Sequence, residues 1–391
     1  MGVGMQRSVA IIGTRGYPSF YGGFETAVRK LAPYLADQGW GVTVYGRPGA
    51  VRPEDPGTDA RVESRITAGL DTKSLSTLSF GLTAVLDAVV RKPDVVLVMN
   101  VANGFWLPLL KLRGIPTLVN VDGIEWERAK WGRLAKTIFR AGARATARWG
   151  TSMVYDARAI AERWRQEFGL EGFVISYGGD EPGTLPAPEG VTSGRYVLLV
   201  ARFVPENSIW EFIEAVKLLP KSTPVVIVGS SGNGGEMDNA VKTLAEERPN
   251  VQWLGHVHDH DHLLALWQHS GVYFHGHSVG GTNPALVQAM ACGAPVVARD
   301  TVYNREVLQS AGIFVQPTAP EIAFALQQVL KDPARQEELS VQAKVRAATA
   351  YTWDGVCRAY EQALEETLDA QVSKKLHPLH GRLAGRERLR R

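Results

Sequence analysis

Short, uniformly apolar runs alternating with helix-period segments constrain this chain more than any other feature. Val9–Ile12, Val42–Tyr45, Asp94–Met99 and Pro116–Val121 are such runs in the first half. Between the first two, Phe24, Ala27, Val28, Leu31, Ala32 and Leu35 recur at the spacing of one helix face. A strand that is apolar on both faces must be covered on both. The pattern therefore predicts an α/β fold with a parallel sheet between helices. It stops at Glu181–Gly190, a segment with three prolines and two glycines that suits an interdomain linker. It restarts with Tyr196–Val200, Pro224–Gly229, Val251–Leu254, Gly271–His275 and Pro295–Ala298. Two domains are expected, over 1–186 and 190–350, followed by a helix over 351–370 and a basic tail over 371–391. In open parallel sheets, ligands bind beyond the carboxyl ends of strands, so the natural site is the cleft between the halves.

Three loops at such strand ends carry residues able to do chemistry. The first, GTRGYPSFYGGFE, runs from Gly13 to Glu25 between the first strand and first helix. Its glycines, Gly22 and Gly23 among them, let backbone approach a ligand, and a helix N-terminus favours an anion. Arg15 and Glu25 are its charged members. It is neither a Walker A loop nor GxGxxG, which argues against a nicotinamide dehydrogenase. The second, HGHSVGGTNP, runs from His275 to Pro284 and holds His277, Gly280, Gly281, Thr282 and Asn283. Asn283 is a favoured N-cap and Pro284 a favoured first helical residue, so this loop feeds a capped helix that can hold a diphosphate. Gln288, about one turn further on, can hydrogen-bond sugar or ribose hydroxyls. The third, ARFVPEN, places Arg202 just past a strand, where a cation can neutralise a departing diphosphate.

Other features limit the function and the setting. The net charge of +3 says little, but its distribution says more. Lys136, Arg140, Arg144 and Arg148 recur every four residues, with Leu134, Ile138, Ala145 and Trp149 on another side. A basic helix bearing a tryptophan can lie on an anionic membrane surface. Nucleic acid is not expected, because no aromatic platform accompanies the basic tail. Cys292 and Cys357 give no disulfide framework, and no long apolar segment is present, so a cytoplasmic protein, peripheral on the inner membrane face, is expected. The alternate histidines His256, His258, His260 and His262 fit a loop and helix start capped by Asp259 or Asp261 better than a metal site.

Taken together, GTRGYPSFYGGFET, NVDGIEWERAKW, ARFVPEN, HGHSVGGTNPALVQAMACG and NREV resemble the retaining glycosyltransferases of family 4, and within it a bacterial rhamnosyltransferase-type branch, over residues 8–365. The resemblance implies a GT-B fold, two Rossmann-like domains facing each other across a cleft, with the last helix crossing back to the first domain. It also implies a nucleotide-sugar donor in the second half, a lipid-linked or surface-polysaccharide acceptor, and no cofactor or metal. The family's Arg-x4-Lys pair falls on Arg202 and Asn207, its Glu-x7-Glu motif on Gly280 and Gln288, and the histidine of its first domain on Asp122. Arg202 and Asp122 are thus the implied catalytic groups, with the two glycine loops lining the donor and acceptor sides. A neutral Gln288 binds ribose hydroxyls more weakly than a carboxylate would. Two alternatives remain, a sugar-nucleotide-binding protein without transferase activity and a GT-B epimerase.

Overall fold

The computed structural model describes residues 7–19, 22–51, 54–55, 57–70, 76–128, 131–232 and 234–387, with side chains described to residue 371. The first half holds strands β1 (Ser8–Ile12), β2 (Gly41–Gly46), β3 (Val62–Ile66), β4 (Val95–Met99), β5 (Thr117–Asn120), β6 (Ser152–Tyr155) and β7 (Phe173–Val174). Its helices are α1 (Gly23–Asp37), α2 (Ser76–Arg91), α3 (Leu107–Leu112), α4 (Arg133–Trp149) and α5 (Arg158–Phe168). The second half holds β8 (Val197–Val200), β9 (Val225–Val228), β10 (Val251–Gly255), β11 (Val272–His275), β12 (Val296–Arg299) and β13 (Gly312–Val315). Its helices are α6 (Ile209–Leu218), α7 (Glu236–Glu247), α8 (His260–Gln268), α9 (Pro284–Cys292), α10 (Val302–Leu308), α11 (Ala319–Lys331) and α12 (Pro333–Ala350). The last helix, α13, spans Trp353–Glu387.

The first sheet has the order β3-β2-β1-β4-β5-β6-β7 and the second β10-β9-β8-β11-β12-β13. Every pairing within them is parallel. Each sheet reverses direction once, at β1/β4 and at β8/β11. The crevice of a doubly wound sheet opens at that point. The Gly13 loop leaves β1, the Arg202 loop leaves β8 and the His277 loop leaves β11, so all three glycine or arginine loops sit at switch points.

Helices cover both faces of each sheet, as uniformly apolar strands require. Val9, Ile11, Val42, Leu97 and Leu118 pack toward α1, while Ala10, Ile12, Val96, Val98 and Val119 pack toward α2, α3 and α5. The second half repeats this with Val197, Leu199 and Ile227 on one face and Leu198, Val226 and Tyr273 on the other. Helix α13 packs back on the first half. Its Val356, Cys357, Tyr360, Ala363 and Leu364 join the cluster of Leu31, Leu35 and Trp40. Glu361 accepts from Tyr34 Oη at 3.0 Å and Trp40 Nε1 at 3.2 Å. This helix continues through the segment read as a basic tail as far as Glu387. The side chains of that segment lie outside the described residues.

Four strands escape the sequence pattern, namely β3, β6, β7 and β13. Edge strand β3, Val-Glu-Ser-Arg-Ile, is half polar because one face meets water. The others span two to four residues, too few to show a period.

Candidate active site

The second-half side of the cleft is built by two loops zipped together. His275 ends β11 buried, with Nδ1 3.0 Å from Tyr273 Oη. Burial pushes its imidazole down to about 3. His277 Nδ1 lies 2.6 Å from Asn207 Oδ1, and Asn207 Nδ2 donates to the Arg202 carbonyl at 2.8 Å. Ser278 donates its N–H to the Glu206 carbonyl at 2.9 Å. Gly280 has φ +90°, a left-handed conformation that glycine adopts without cost. Asn283 then caps α9, its side chain accepting from Ala285 N at 2.9 Å, with Pro284 in the first turn. The local grammar of the sequence is therefore reproduced here. Arg202 is exposed beside this loop, close enough to help hold His277 well below its usual range, after burial and His275.

The first half meets this loop directly. Asp122 follows β5 with φ +62°, a strained backbone for a non-glycine residue that aspartate tolerates better than most. Its N–H donates to Asn120 Oδ1 at 2.9 Å, and Asn120 Nδ2 donates to Tyr360 Oη at 2.6 Å. Helix α13 thus braces the turn that presents Asp122. Next to it, Gly123 faces Gly280, and a Cβ built on Gly123 would lie 2.8 Å from the Gly280 Cα. A Cβ on Gly281 would lie 1.9 Å from Asp156 Oδ1. Thr282 Oγ1 donates to the Asp156 carbonyl. Gly23 lies between Tyr177 and Pro284, a contact of the α1 start with the α9 start.

The sequence-predicted residues therefore divide. Asp122, His277, Gly280, Gly281, Thr282, Asn283, Asn207, Arg202 and Gly23 converge at the cleft. Gly22 is the extended residue before α1. Glu25 is buried and turned inward, its Oε1 accepting from Arg15 N at 2.9 Å. That pair organises the loop itself. Gln288 is committed elsewhere, since its Oε1 accepts from Asp180 N at 3.0 Å and its Nε2 donates to Asp180 O at 2.7 Å. Lys30 Nζ pairs with the Asp180 carboxylate at 2.6 Å. The amide of Gln288 thus clamps the connection between the domains.

Several further residues line the same cleft. Arg128 pairs with Glu125 at 2.6 Å, and its Nη2 would meet a Cβ on Gly280 at 3.4 Å. Asp156 is buried, and among the described residues its Oδ1 has no hydrogen-bond partner. Burial, reinforced by the Asp122 carboxylate, pushes its carboxyl up to about 8. The N–H groups of Arg158 and Ala159 donate to Glu306 at 2.7 and 3.1 Å. Only the meeting of the two halves gives these residues a shared site.

Elsewhere, Asp259 caps α8, accepting from His262 N at 3.1 Å. Among the described residues no group of three His, Cys, Asp or Glu is gathered to hold a metal. On α4, Trp149 packs toward the first core under Lys111 and Arg148, and Arg140 pairs with Glu167 at 3.0 Å. The tryptophan face is thus used in folding, leaving Arg133, Leu134, Arg144 and Arg148 outward. Among the described residues no helix is long and apolar enough to cross a membrane.

Two facing parallel-sheet domains with ligand loops at both switch points define the GT-B class. The chain carries a glycosyl transferase 4-like domain over residues 22–178 and a domain of the glycosyl transferases group 1 family over residues 186–346. It is 27% identical over 168 residues to the O-antigen chain mannosyltransferase B of Escherichia coli, a match covering 41% of this chain and 42% of that protein. The chain thus spans about two fifths of the length of that curated relative. Sucrose-phosphate synthase from Thermosynechococcus elongatus superposes with a TM-score of 0.78 at 19% identity, over 93% of this chain and 100% of the other. Anabaena Alr3699/HepE, solved in complex with UDP-glucose, superposes with a TM-score of 0.70 at 16% identity, over 92% and 99% of the two chains.

Proposed function

We propose that this protein transfers a hexose, rhamnose or a relative of it, from a nucleoside-diphosphate donor to a lipid-linked or surface-polysaccharide acceptor, with retention at the anomeric carbon. The observation that carries this reading is the donor loop: Gly280–Asn283 leads into the capped start of α9, with Arg202 beside it and Asp122 opposite. When the bond between sugar C1 and the diphosphate oxygen breaks, negative charge grows on the leaving group and positive charge on the ring. Arg202, loop N–H groups and the α9 N-terminus stabilise the first. Asp122 faces the second. These groups do the work of a divalent ion, so none is required on this reading. The glycosyltransferase family 4-like domain supports retention. The mannosyltransferase relative, named for the O-antigen chain, supports a surface-glycan acceptor. The rhamnose assignment rests on the motif wording.

Arg202→Ala tests the reading. It removes a charge-assisted contact of about 1.5–3 kcal/mol to the diphosphate. Transfer from UDP- or GDP-sugars in the presence of EDTA should fall at least tenfold, with the melting temperature unchanged. Full turnover by the variant would refute the diphosphate assignment.

A further inference from the structure

The Asn304–Val307 segment of α10 belongs to the second half, yet its side chains reach in two directions. Asn304 is buried, and its Nδ2 donates to the carbonyls of His277 and Arg299, both at 2.9 Å. It therefore holds the root of the donor loop. Two residues on, Glu306 leaves the second half altogether. Its Oε1 and Oε2 accept from Arg158 N and Ala159 N, the first turn of α5 in the first half. Helix α5 needs such a partner, because its N-cap is Ala157, which has no side-chain acceptor. A carboxylate at a helix N-terminus also meets the positive end of the helix dipole. Tyr303, one residue before Asn304, packs against the first-half core.

We propose that Glu306 is a positioning residue that latches the two halves together in the sugar-transfer geometry, capping α5 across the domain boundary while Asn304 ties the same helix to the donor loop. The inference rests on the transferase reading for its kinetic consequence, though not for its structural one. With the latch made, Thr282 reaches the Asp156 carbonyl and Gly280 lies against Gly123. With it broken, α5 loses its cap, and the donor loop and Asp122 are free to part. Glu306 touches neither reacting group, so its loss acts through the distance between the halves.

The test uses the full chain labelled at Leu112→Cys and Phe324→Cys, which are exposed on opposite halves; the native Cys292 and Cys357 are buried. Distances between the labels are measured in the presence of UDP or GDP. Glu306→Ala should shift the distribution to longer separations and lower kcat by about tenfold or more, from the loss of a charge-assisted hydrogen-bond pair. Affinity for the free nucleoside diphosphate, held by the second half, should stay within about twofold. Glu306→Gln retains a carbonyl acceptor for one N–H and should recover much of both effects. An unchanged distance distribution in Glu306→Ala overturns the latch. So does a longer separation with wild-type kcat, which would make the contact structural only. If Glu306→Ala fails to fold, Glu306→Gln decides, since wild-type distances and kcat in it support the latch and a matched loss of nucleotide affinity overturns it. A wild type that separates normally between open and closed states yet transfers no sugar would refute the proposed function and leave the latch standing.

Discussion

Replacing Asp156 with asparagine should stabilise the protein, and increasingly so as pH rises. Asp156 is buried beneath Gly281, with Asp122 and Glu306 adding negative potential and its own backbone N–H and Arg128 opposing it. Its folded carboxyl titrates at about 8, far above an unfolded aspartate. Between those two values the folded state holds one proton that the unfolded state has lost. Stability then falls as pH rises, by about 1.4 kcal/mol per pH unit for one proton, and levels off above the folded value. Asparagine has the shape of the protonated acid and no such dependence. The gap between variant and wild type should therefore widen from pH 5 to pH 8 by on the order of 3–4 kcal/mol. For a domain of this size, that is roughly 3–5 °C of melting temperature per pH unit. Thermal unfolding of both proteins at pH 5, 6, 7 and 8 measures it. The difference matters more than either curve alone. His275 and His277, depressed by burial, contribute the opposite slope below about pH 6.5 in both proteins. A gap that stays constant across pH 5–8, or narrows, would refute the reasoning.

Two further outcomes are expected. Gln288→Glu keeps an acceptor for Asp180 N but loses the donation to Asp180 O, which should cost about 1–2 kcal/mol. The melting temperature should drop while affinity for UDP or GDP stays level; tighter nucleotide binding at an unchanged melting temperature would mean that the position serves the ribose. The outward basic residues of α4 should draw the protein to anionic vesicles at low salt, each contributing about 1 kcal/mol. Co-sedimentation should vanish in a Lys136/Arg140/Arg144/Arg148→Glu variant, and equal pelleting of the two proteins would remove the membrane from the proposed function.

Much of this architecture is legible in the sequence because its signals are local. The α1 face, the cap by Asn283 and the glycine turns all depend on neighbours within a few residues, and all reappear in the fold. The interlocking of the Arg202 and His277 loops is not legible, because it joins segments that only the β8/β11 pairing brings together. Glu306 lies 147 positions from Ala159, so no local pattern announces their contact. Gln288 shows the converse: the sequence places it one turn into α9, and the fold gives its amide the Asp180 backbone of the linker as partner. Trp149 likewise has the spacing of a membrane-facing residue but packs inward, because helical periodicity marks an apolar face without saying what covers it.

The two glycines of the donor loop acquire a reason once both halves are present. Gly281 has room for no side chain because the Asp156 carboxyl stands where a Cβ would go, and Gly280 lies against Gly123 and the Arg128 guanidinium. On the proposed reading, this loop offers the sugar backbone N–H groups and the imidazole of His277, with no carboxylate between His275 and Asn283. Across the cleft the first half adds Asp122 and the buried Asp156, while the second half has Glu206 on the Arg202 loop. On the proposed reading, a donor bound to the second half alone meets Arg202 and the neutral dipoles that suit its diphosphate. On that reading, positive charge on the ring gains the Asp122 carboxylate when the halves meet. On the proposed reading, splitting the electrostatic duties across the cleft ties bond cleavage to closure, and closure also excludes the water that would otherwise intercept the activated sugar. The latch at Glu306 then governs chemistry from a distance, by setting how much of the time the acid and the leaving group share one site.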